Sequence, residues 1–464
     1  MPGIIIKRKF MHETLKTVLL IPALFFLSTK ICFAQTIVQR DATIEQMVKQ
    51  VSADSLKAYI TRLVSFGTRS TLSATNNKQK GIGAAREWVV QKFNEFGKYS
   101  NGRLTAYVDT TTLQPDGKRI DAVTSLGNAM ATLKGTDPAD NRIYIISGHL
   151  DSRVSNVMNR EADAPGANDD ASGVAAVIEC ARIMSKHAFP STIIFVAVSG
   201  EEQGLLGAEF LAAKAKKNNW NIDAVLNNDI IGSNNSNETN IINNTRVRVF
   251  SEGLPFFELE KNTANIRNFG LENDGAARQL ARYVKETGER YVDNLEVVMI
   301  YRNDRFLRGG DHTPFVQNGF TAVRITEMNE NYNHQHQDIR TENGIKYGDL
   351  IEFMDFEYLR KNTAMNLAVL ANLAKASSSP QEVKVDVKNL SNSTLLNWKA
   401  PKNGNVEGFY VLMRETTSAF WQKKFFTPNT AITLPYSKDN YFFAVQSVNE
   451  SGNESLPVVP GISR

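Results

Sequence analysis

Two adjacent glutamates, Glu201 and Glu202, stand where "STIIFVAVSGEEQGLLGAEF" passes from an unbroken β-favouring run through glycine into a helical pattern. Like charges crowded into one site repel and raise one another's pKa. Paired carboxylates at the end of a buried strand therefore imply a nearby cation, or a proton kept by one of them. The same residue types recur at comparable places. "SGHLDS" supplies His149 and Asp151, "PGANDDASG" supplies Asp169 and Asp170, and "LNNDIIG" supplies Asp229. "GGDHTPF" adds Asp311 and His312, and "YNHQHQD" adds His334, His336 and Asp338. Of the six histidines in the chain, four fall in these segments. Histidine mixed with carboxylates and without thiolates is the donor set of a catalytic zinc site, whereas structural zinc recruits cysteine. Two histidines, three carboxylates and a spare glutamate suit two Zn2+ about 3.5–4 Å apart that share a carboxylate and a water. Consecutive side chains on a strand end point to opposite sides, so one glutamate can bind metal while its neighbour faces that water.

The segments between these residues explain how such a cluster could assemble. "DSLKAYITRLVSFG" and "KGIGAAREWVVQKFNEFG" carry apolar residues at helical spacing. "RIYIISGHLDS" reads as a strand, "GVAAVIECARIMSKH" as a helix, "STIIFVAVSGEE" as a strand, "GAEFLAAKAKK" as a helix and "AVLNNDIIG" as a strand. "GAARQLARYVKETG" and "LEVVMIY" follow as helix and strand, then "TAVRITE" as a strand and "LIEFMDFEYLRKNTAMNLAVLANLAK" as a long closing helix. Such alternation implies an α/β domain whose strands are largely parallel and buried. In sheets of that kind ligands bind outside the carboxyl ends of the strands, which is where the candidate residues fall. Residues 233–270, rich in asparagine and without a clear period, read as an insertion over one end of the sheet.

"GHLDS", "PGANDDASG", "GEEQGLLGAEF", "NNDIIGS", "DHTPF" and a late His-x-x-x-Asp occur in the order seen in the M28 family of zinc aminopeptidases, and the chain resembles that family over roughly residues 55–375. The resemblance implies a mixed, largely parallel β-sheet flanked by helices on both faces. It implies two Zn2+, one held by His149 and Asp229, the other by Glu202 and His334, with Asp169 as the bridge and Glu201 as general base. It also implies a cis peptide at Asp169–Asp170. Asp151, two residues after His149, would accept the ring's other N–H and fix its orientation. Asp170 is the rival to Asp169 as ligand, and His336 the rival to His334, because Asn333 rather than an aromatic residue precedes His334. Asp311 and His312 match a family segment with a supporting rather than ligating role. Arg302, Arg305 and Arg308 are read either as a solvated loop or as substrate contacts.

"ASSSP" marks a linker, and from Gln381 the alternation becomes β throughout. Trp398, Pro401, "GFYVLMR", "YFFAV" and "NESGNES" resemble a fibronectin type III domain over about the last 85 residues. That resemblance implies a two-sheet sandwich with Trp398 in its core and Tyr441 near the corner. At the other end, basic residues precede the apolar run "TVLLIPALFFL", and "CFA" ends in small residues, as in a secretory signal peptide cleaved after Ala34. The expected organisation is thus a signal peptide at 1–34, a peptidase domain at 35–378 and a fibronectin type III-like domain at 379–464. Residues 1–34 hold five Lys or Arg and one acid, so the net charge of +4 for the whole chain leaves the remainder near neutrality. Nothing in that balance points to nucleic acid or an anionic membrane surface. Cys180 is the only cysteine after residue 34, which excludes an intrachain disulfide in a processed chain. The reading is a secreted di-zinc exopeptidase acting on peptide N-termini. An M28-type carboxypeptidase or dipeptidase is the alternative. A reading of another class is a non-catalytic adhesion protein that contacts a cell surface or polysaccharide through its C-terminal domain.

Overall fold

Each of the strands that should carry a candidate residue forms, and they lie side by side. The structure, a computed structural model, describes residue 36 and residues 38–463, so the leader expected at 1–34 lies outside the described residues. Helices α1 (Ala42–Lys49), α2 (Ala53–Val64) and α3 (Gly81–Gly97) precede a long antiparallel pair, β1 (Leu104–Leu113) and β2 (Thr124–Leu133). Then come β3 (Arg142–His149), α4 (Ala171–Met184), β4 (Thr192–Val198), α5 (Leu206–Lys217) and β5 (Asn221–Asn228). After β6 (Arg246–Phe250) follow α6 (Phe256–Phe269), α7 (Ala276–Tyr291), β7 (Glu296–Ile300), α8 (His312–Gln317) and β8 (Ala322–Glu327). A short hairpin of β9 (Arg340–Glu342) and β10 (Ile345–Tyr347) and a 3-10 turn at Ile351–Phe353 lead into α9 (Phe356–Lys375).

Eight strands form one sheet in the order β1-β2-β4-β3-β5-β8-β6-β7. The central run β4-β3-β5-β8 is parallel, and antiparallel pairings join β2 to β4 and β6 to β8. This is the mixed, largely parallel sheet expected. Both faces are covered: Tyr144 and Ile146 of β3 join a core with α2, α4, α7 and α9, while Ile145 between them packs with α5 and α8. Period-2 burial on both faces explains why the central strands are nearly continuous apolar runs. Because the four central strands run the same way, His149, the Glu201–Glu202 pair and Asp229 emerge along one edge.

Close backbone contacts hold that edge together. A Cβ on Gly148 would lie 2.4 Å from the carbonyl carbon of Gly173, so the first turn of α4 sits directly on β3. Gly200 adopts φ +79, and a Cβ there would stand 2.9 Å from Leu126. Only glycine enters that left-handed region without cost, which lets the chain turn out of β4 into Glu201. The Asp169–Asp170 peptide is cis.

Two expectations need correction. Residues 233–270 are not merely an insertion, since β6 pairs with both β7 and β8 inside the main sheet. Its sequence, "RVRVF", hides this because Arg246 and Arg248 supply the polar half of the alternation. The closing helix also starts later than its apolar pattern, at Phe356, where Asp355 caps it by accepting from the N–H groups of Glu357 and Tyr358.

Beyond α9 the chain is all β, with β11 (Gln381–Asp386), β12 (Thr394–Lys399), β13 (Gly408–Glu415), β14 (Lys423–Thr427), β15 (Ala431–Leu434), β16 (Tyr441–Val448) and β17 (Gly461–Ser463). A four-stranded sheet, β15-β12-β11-β17, accompanies a three-stranded one, β14-β13-β16. Trp398 of β12 is buried, and its ring meets Phe409 of β13 edge-on at 5.3 Å, linking the two sheets. Tyr441 opens β16 and packs edge-on against Tyr436.

This region is bonded into the α/β part rather than loosely appended. Fully buried Glu454 accepts from Arg290 of α7 at 2.7 and 3.0 Å, from Asn372 of α9 at 2.8 Å and from Lys424 of β14 at 3.2 Å. A second buried cluster joins Asp274 to Arg282 of α7 and to Arg414 of β13. Burial alone would raise the Glu454 pKa, but Arg290 and Lys424 outweigh it and hold the carboxyl at about 2. A depressed carboxyl pKa stabilises the fold above its unfolded value, and that stability is lost as pH falls from about 4.5 towards 2. Glu454→Ala leaves Arg290 and Lys424 with only the partly exposed Glu286 as a carboxylate partner, so we expect a loss of about 3–5 kcal/mol in urea unfolding at neutral pH. A change below about 1 kcal/mol would mean the contact is a surface pair in energetic terms.

Candidate metal centre

The carboxyl edge of the parallel strands brings together two triads of donors. His149, Asp169 and Asp229 form one, and Asp169, Glu202 and His336 the other; within each, the donor atoms lie within 4.8 Å of one another. Asp169 belongs to both through different oxygens. Its Oδ1 is 2.9 Å from His149 Nε2, and its Oδ2 is 3.0 Å from His336 Nε2. His149, Asp169, Glu202 and Asp229 are each at most 5% exposed, and His336 is the accessible member.

Each donor is aimed by its element. His149 ends β3, and its Nδ1 lies 3.0 Å from the main-chain oxygen of Asp151. The Asp151 carboxylate is 3.7 Å from that nitrogen and instead accepts the N–H groups of Glu201 (3.3 Å) and Glu202 (3.1 Å). The expected partner of the ring is thus replaced by the carbonyl of the same residue, while the Asp151 side chain positions the glutamate pair. Asp170 is excluded as a ligand by its own bonds. Its carboxylate accepts from the N–H groups of His149 (2.9 Å), Gly173 (2.9 Å) and Ile230 (3.1 Å), capping α4 and tying three segments together. Asp229 follows β5 directly, and Ile230 after it takes φ 54, a rare conformation for a β-branched residue. Its N–H is held by Asp170, and its carbonyl accepts from the N–H of Glu327 at 2.8 Å.

The late histidine differs from expectation. His334 lies outside both triads, with its ring stacked on Phe353 at 3.7 Å and 6° between planes. Burial lowers its pKa to about 4, so it is a neutral packing group. His336 joins the second triad instead, with its backbone in the left-handed region at φ 54 and its imidazole 3.0 Å from both Asp169 and Glu202. Asp338 bonds Ser155 rather than either histidine.

The donor chemistry fits zinc. With the His149 Nδ1–H given to a carbonyl, Nε2 faces carboxylate oxygens of Asp169 and Asp229 at 2.9 and 3.9 Å, a gap for a proton or a metal cation to fill. Lone pair against carboxylate is repulsive unless a cation lies between them. In the second triad a single nitrogen, His336 Nε2, faces two carboxylate oxygens at 3.0 Å each, and buried Glu202 Oε1 has no hydrogen-bond donor. Asp169 Oδ2 also accepts from Gln335 at 2.9 Å, so Glu202 Oε1 is the oxygen left for a cation to serve. Three protein donors in each triad, all nitrogen or carboxylate, would leave open the position that a catalytic zinc requires.

Several supporting residues carried no readable sequence signal. Arg69, 1% exposed, donates to the carbonyls of Leu150, Pro165 and Gly166 and so fixes the loops around Asp151 and Asp169. Asp349 accepts the N–H groups of Asn168 and Asp169. Buried Arg324 in β8 lies 3.0 Å from Asp229 and 2.8 Å from Asp304. An arginine inside an apolar strand, as in "TAVRITE", is the one clue that could have exposed it. Asp311 is buried beside the site without a hydrogen-bond donor among the described residues, and His312 lies within hydrogen-bond distance (2.7 Å) of the Asn303 carbonyl. Neither joins a triad. Arg302 lies over Phe306, away from the cleft, whereas Arg305 and Arg308 line it.

Comparison with known proteins agrees with this geometry. The profile of peptidase family M28 matches residues 128–356. A "probable zinc metalloprotease" of Leptosphaeria maculans is 44% identical over 418 residues, spanning 90% of this chain and 96% of that protein. One from Pyricularia oryzae is 41% identical over 427 residues, spanning 90% and 84%. Among solved structures, the LapA aminopeptidase of Legionella pneumophila shares the fold, with a TM-score of 0.51 at 16% identity over 75% of this chain and 79% of that one. With a relative 44% identical along nine tenths of this chain, and the profile spanning all five residues of the two triads, the chain belongs to peptidase family M28.

Proposed function

We propose that this chain is a secreted di-zinc exopeptidase that removes N-terminal residues from peptides. His149, Asp169 and Asp229 would hold one ion and Asp169, Glu202 and His336 the other. The observation that carries the reading is a pair of donor triads sharing Asp169, next to a glutamate that belongs to neither and lines the same cleft. Family membership and the similarity to probable zinc metalloproteases support zinc-dependent peptide hydrolysis. The amino-terminal direction rests on the order of motifs shared with the family's aminopeptidases.

Bound zinc would supply an acidified water and stabilise negative charge on the substrate carbonyl oxygen. The protein's own groups do the rest. Glu201 takes a proton on its carboxylate and returns it to the departing amine. Asp151 holds Glu201 and Glu202 by their N–H groups, and its carbonyl fixes the His149 tautomer. Gln335 donates to Asp169 Oδ2 at 2.9 Å and so orients the shared carboxylate. The secretory leader at 1–34 belongs to the same proposal. So does a fibronectin type III identity for residues 379–464, supported by the four- and three-stranded sheets and buried Trp398. Among the described residues no helix is long and apolar enough to cross a membrane.

The test is metal removal. The purified chain should contain about two zinc ions, and chelation should lower hydrolysis of aminoacyl amides by more than about 100-fold, with recovery on adding zinc back. Unchanged turnover in protein shown by mass spectrometry to be metal-free would overturn the reading.

A further inference from the structure

The cleft above the triads, of about 570 Å³, is lined by four arginines: Arg119, Arg153, Arg305 and Arg308. They come from two walls. Arg119, from the β1–β2 connection, donates to the main-chain carbonyl of Glu202 at 2.6 Å. Arg153 donates to the carbonyls of Val154 and Ser155, and its nearest carboxylate oxygen, on Glu202, is 4.0 Å away. On the facing wall Arg308 shares one carboxylate, Glu330, with Arg248 and Arg305, at 3.1, 2.8 and 3.0 Å. Arg305 is further tied to Asp304.

These contacts leave donors unused. A guanidinium carries five N–H groups. Arg119 commits one, Arg153 two and Arg308 only those on Nη1. Charge is also in surplus. Glu330 and Asp304 are shared among four guanidinium groups, those of Arg248, Arg305, Arg308 and Arg324, and Arg119 and Arg153 meet main-chain oxygens rather than a carboxylate at bonding distance. Of the four acids lining the cleft, Asp169, Glu202 and Asp229 are triad donors, whose charge is offset when cations bind, and Glu201 is the fourth. A concave surface with converging, half-used arginine forks recognises a planar anion, and in a peptide that anion is a carboxylate.

We propose that this cleft binds a substrate carboxylate through Arg119, Arg153 and Arg308, so that the preferred substrates are short peptides bearing an acidic side chain or a free terminal carboxylate next to the scissile bond. The inference rests on the exopeptidase reading and names its substrate class. Arg305, already bonded to two carboxylates, contributes positive potential rather than a free fork.

Two substrate pairs, tested on the full zinc-loaded chain, distinguish the two sources of the carboxylate. Glutamyl and glutaminyl anilides differ only in side-chain charge; a dipeptide and its C-terminal amide differ only at the terminus. The charged member of at least one pair should have a kcat/KM about 10- to 100-fold higher, the range of a charge-assisted hydrogen bond. That preference should shrink with added salt and in Arg119→Met, Arg153→Met and Arg308→Met. Equal rates within each pair, or a preference that survives all three substitutions, would overturn the proposal. Calorimetry on zinc-loaded Glu201→Gln separates recognition from turnover. Charge-dependent binding of Glu-Ala over Gln-Ala, or of a dipeptide over its amide, would support the carboxylate site even if no substrate were hydrolysed, whereas its absence counts against the site alone.

Discussion

Glu201→Gln should lower kcat by about two to four powers of ten while both zinc ions stay bound. Glu201 belongs to neither donor triad, lines the cleft between them, and is carried on a main chain that Asp151 holds by hydrogen bonds to consecutive N–H groups. Glutamine preserves its shape and the Asp151 contact, which is made to the main chain, so folding and metal content should not change. What it removes is the ability to accept a proton. A loss confined to kcat, with KM near its original value, is the pattern of a group that acts in the transition state. The neighbouring substitution makes the contrast. Glu202→Gln keeps one oxygen but removes the charge facing His336 at 3.0 Å, and should lower zinc content before it alters the proton step. Metal analysis beside steady-state kinetics on the two variants decides the assignment. If Glu201→Gln sheds zinc, or keeps more than about a tenth of kcat, the roles of the pair must be exchanged or the base sought elsewhere.

The proposed division of labour between adjacent glutamates has a basis in the sequence because both signals are local. A β-favouring run followed by Gly200 sets a strand end, and two side chains at successive positions there must diverge. The same holds for His149 and Asp229, each ending a strand of the parallel block, and for Asp169 at the entry to α4. The α/β class followed from the same runs. Other features were invisible for physical reasons. Arg69, Arg324 and Asp349 act through partners about 20 to 180 positions away, and no periodicity records such a pairing. β6 was missed because its alternating arginines are satisfied by tertiary partners, Glu296 and Glu330, which a single sequence does not reveal. The C-terminal region was legible as β structure but not as a docked one. Its attachment depends on Glu454, one acid among many in the sequence, whose burial beneath Arg290 and Lys424 is purely tertiary.

The Asp170 question shows how the structure resolves what spacing leaves open. Adjacent aspartates are equivalent as letters. In the fold, one carboxylate is consumed by three main-chain N–H groups at the start of α4, and the other has both oxygens turned to histidines. Capping and ligation are competing uses of the same side-chain type, and the helix start takes up Asp170 while leaving Asp169 free for the triads.

His336→Ala should remove one of the two zinc ions and lower activity by more than about 100-fold, whereas His334→Ala should keep both ions and most of its turnover. The two residues are separated by a single position, and the spacing to Asp338 favours His334. Backbone conformation reverses that preference. At φ 54, His336 sits in the left-handed region, where histidine is one of the better tolerated residues, and its ring points at Asp169 and Glu202. His334, before the turn, lies flat on Phe353 with its ring planes nearly parallel. Losing that stack should cost about 0.5–1.5 kcal/mol of stability without touching the metal, so the His334 variant should melt earlier yet bind zinc normally. A ligand lost at His336 leaves Glu202 and one oxygen of Asp169 without a third donor, and the other triad intact, so calorimetric titration of the stripped variant should show one zinc step where the parent shows two. The opposite result, zinc lost with His334 and retained without His336, would place the turn between Asn331 and Asp338 in a different backbone conformation and restore the residue that spacing selects.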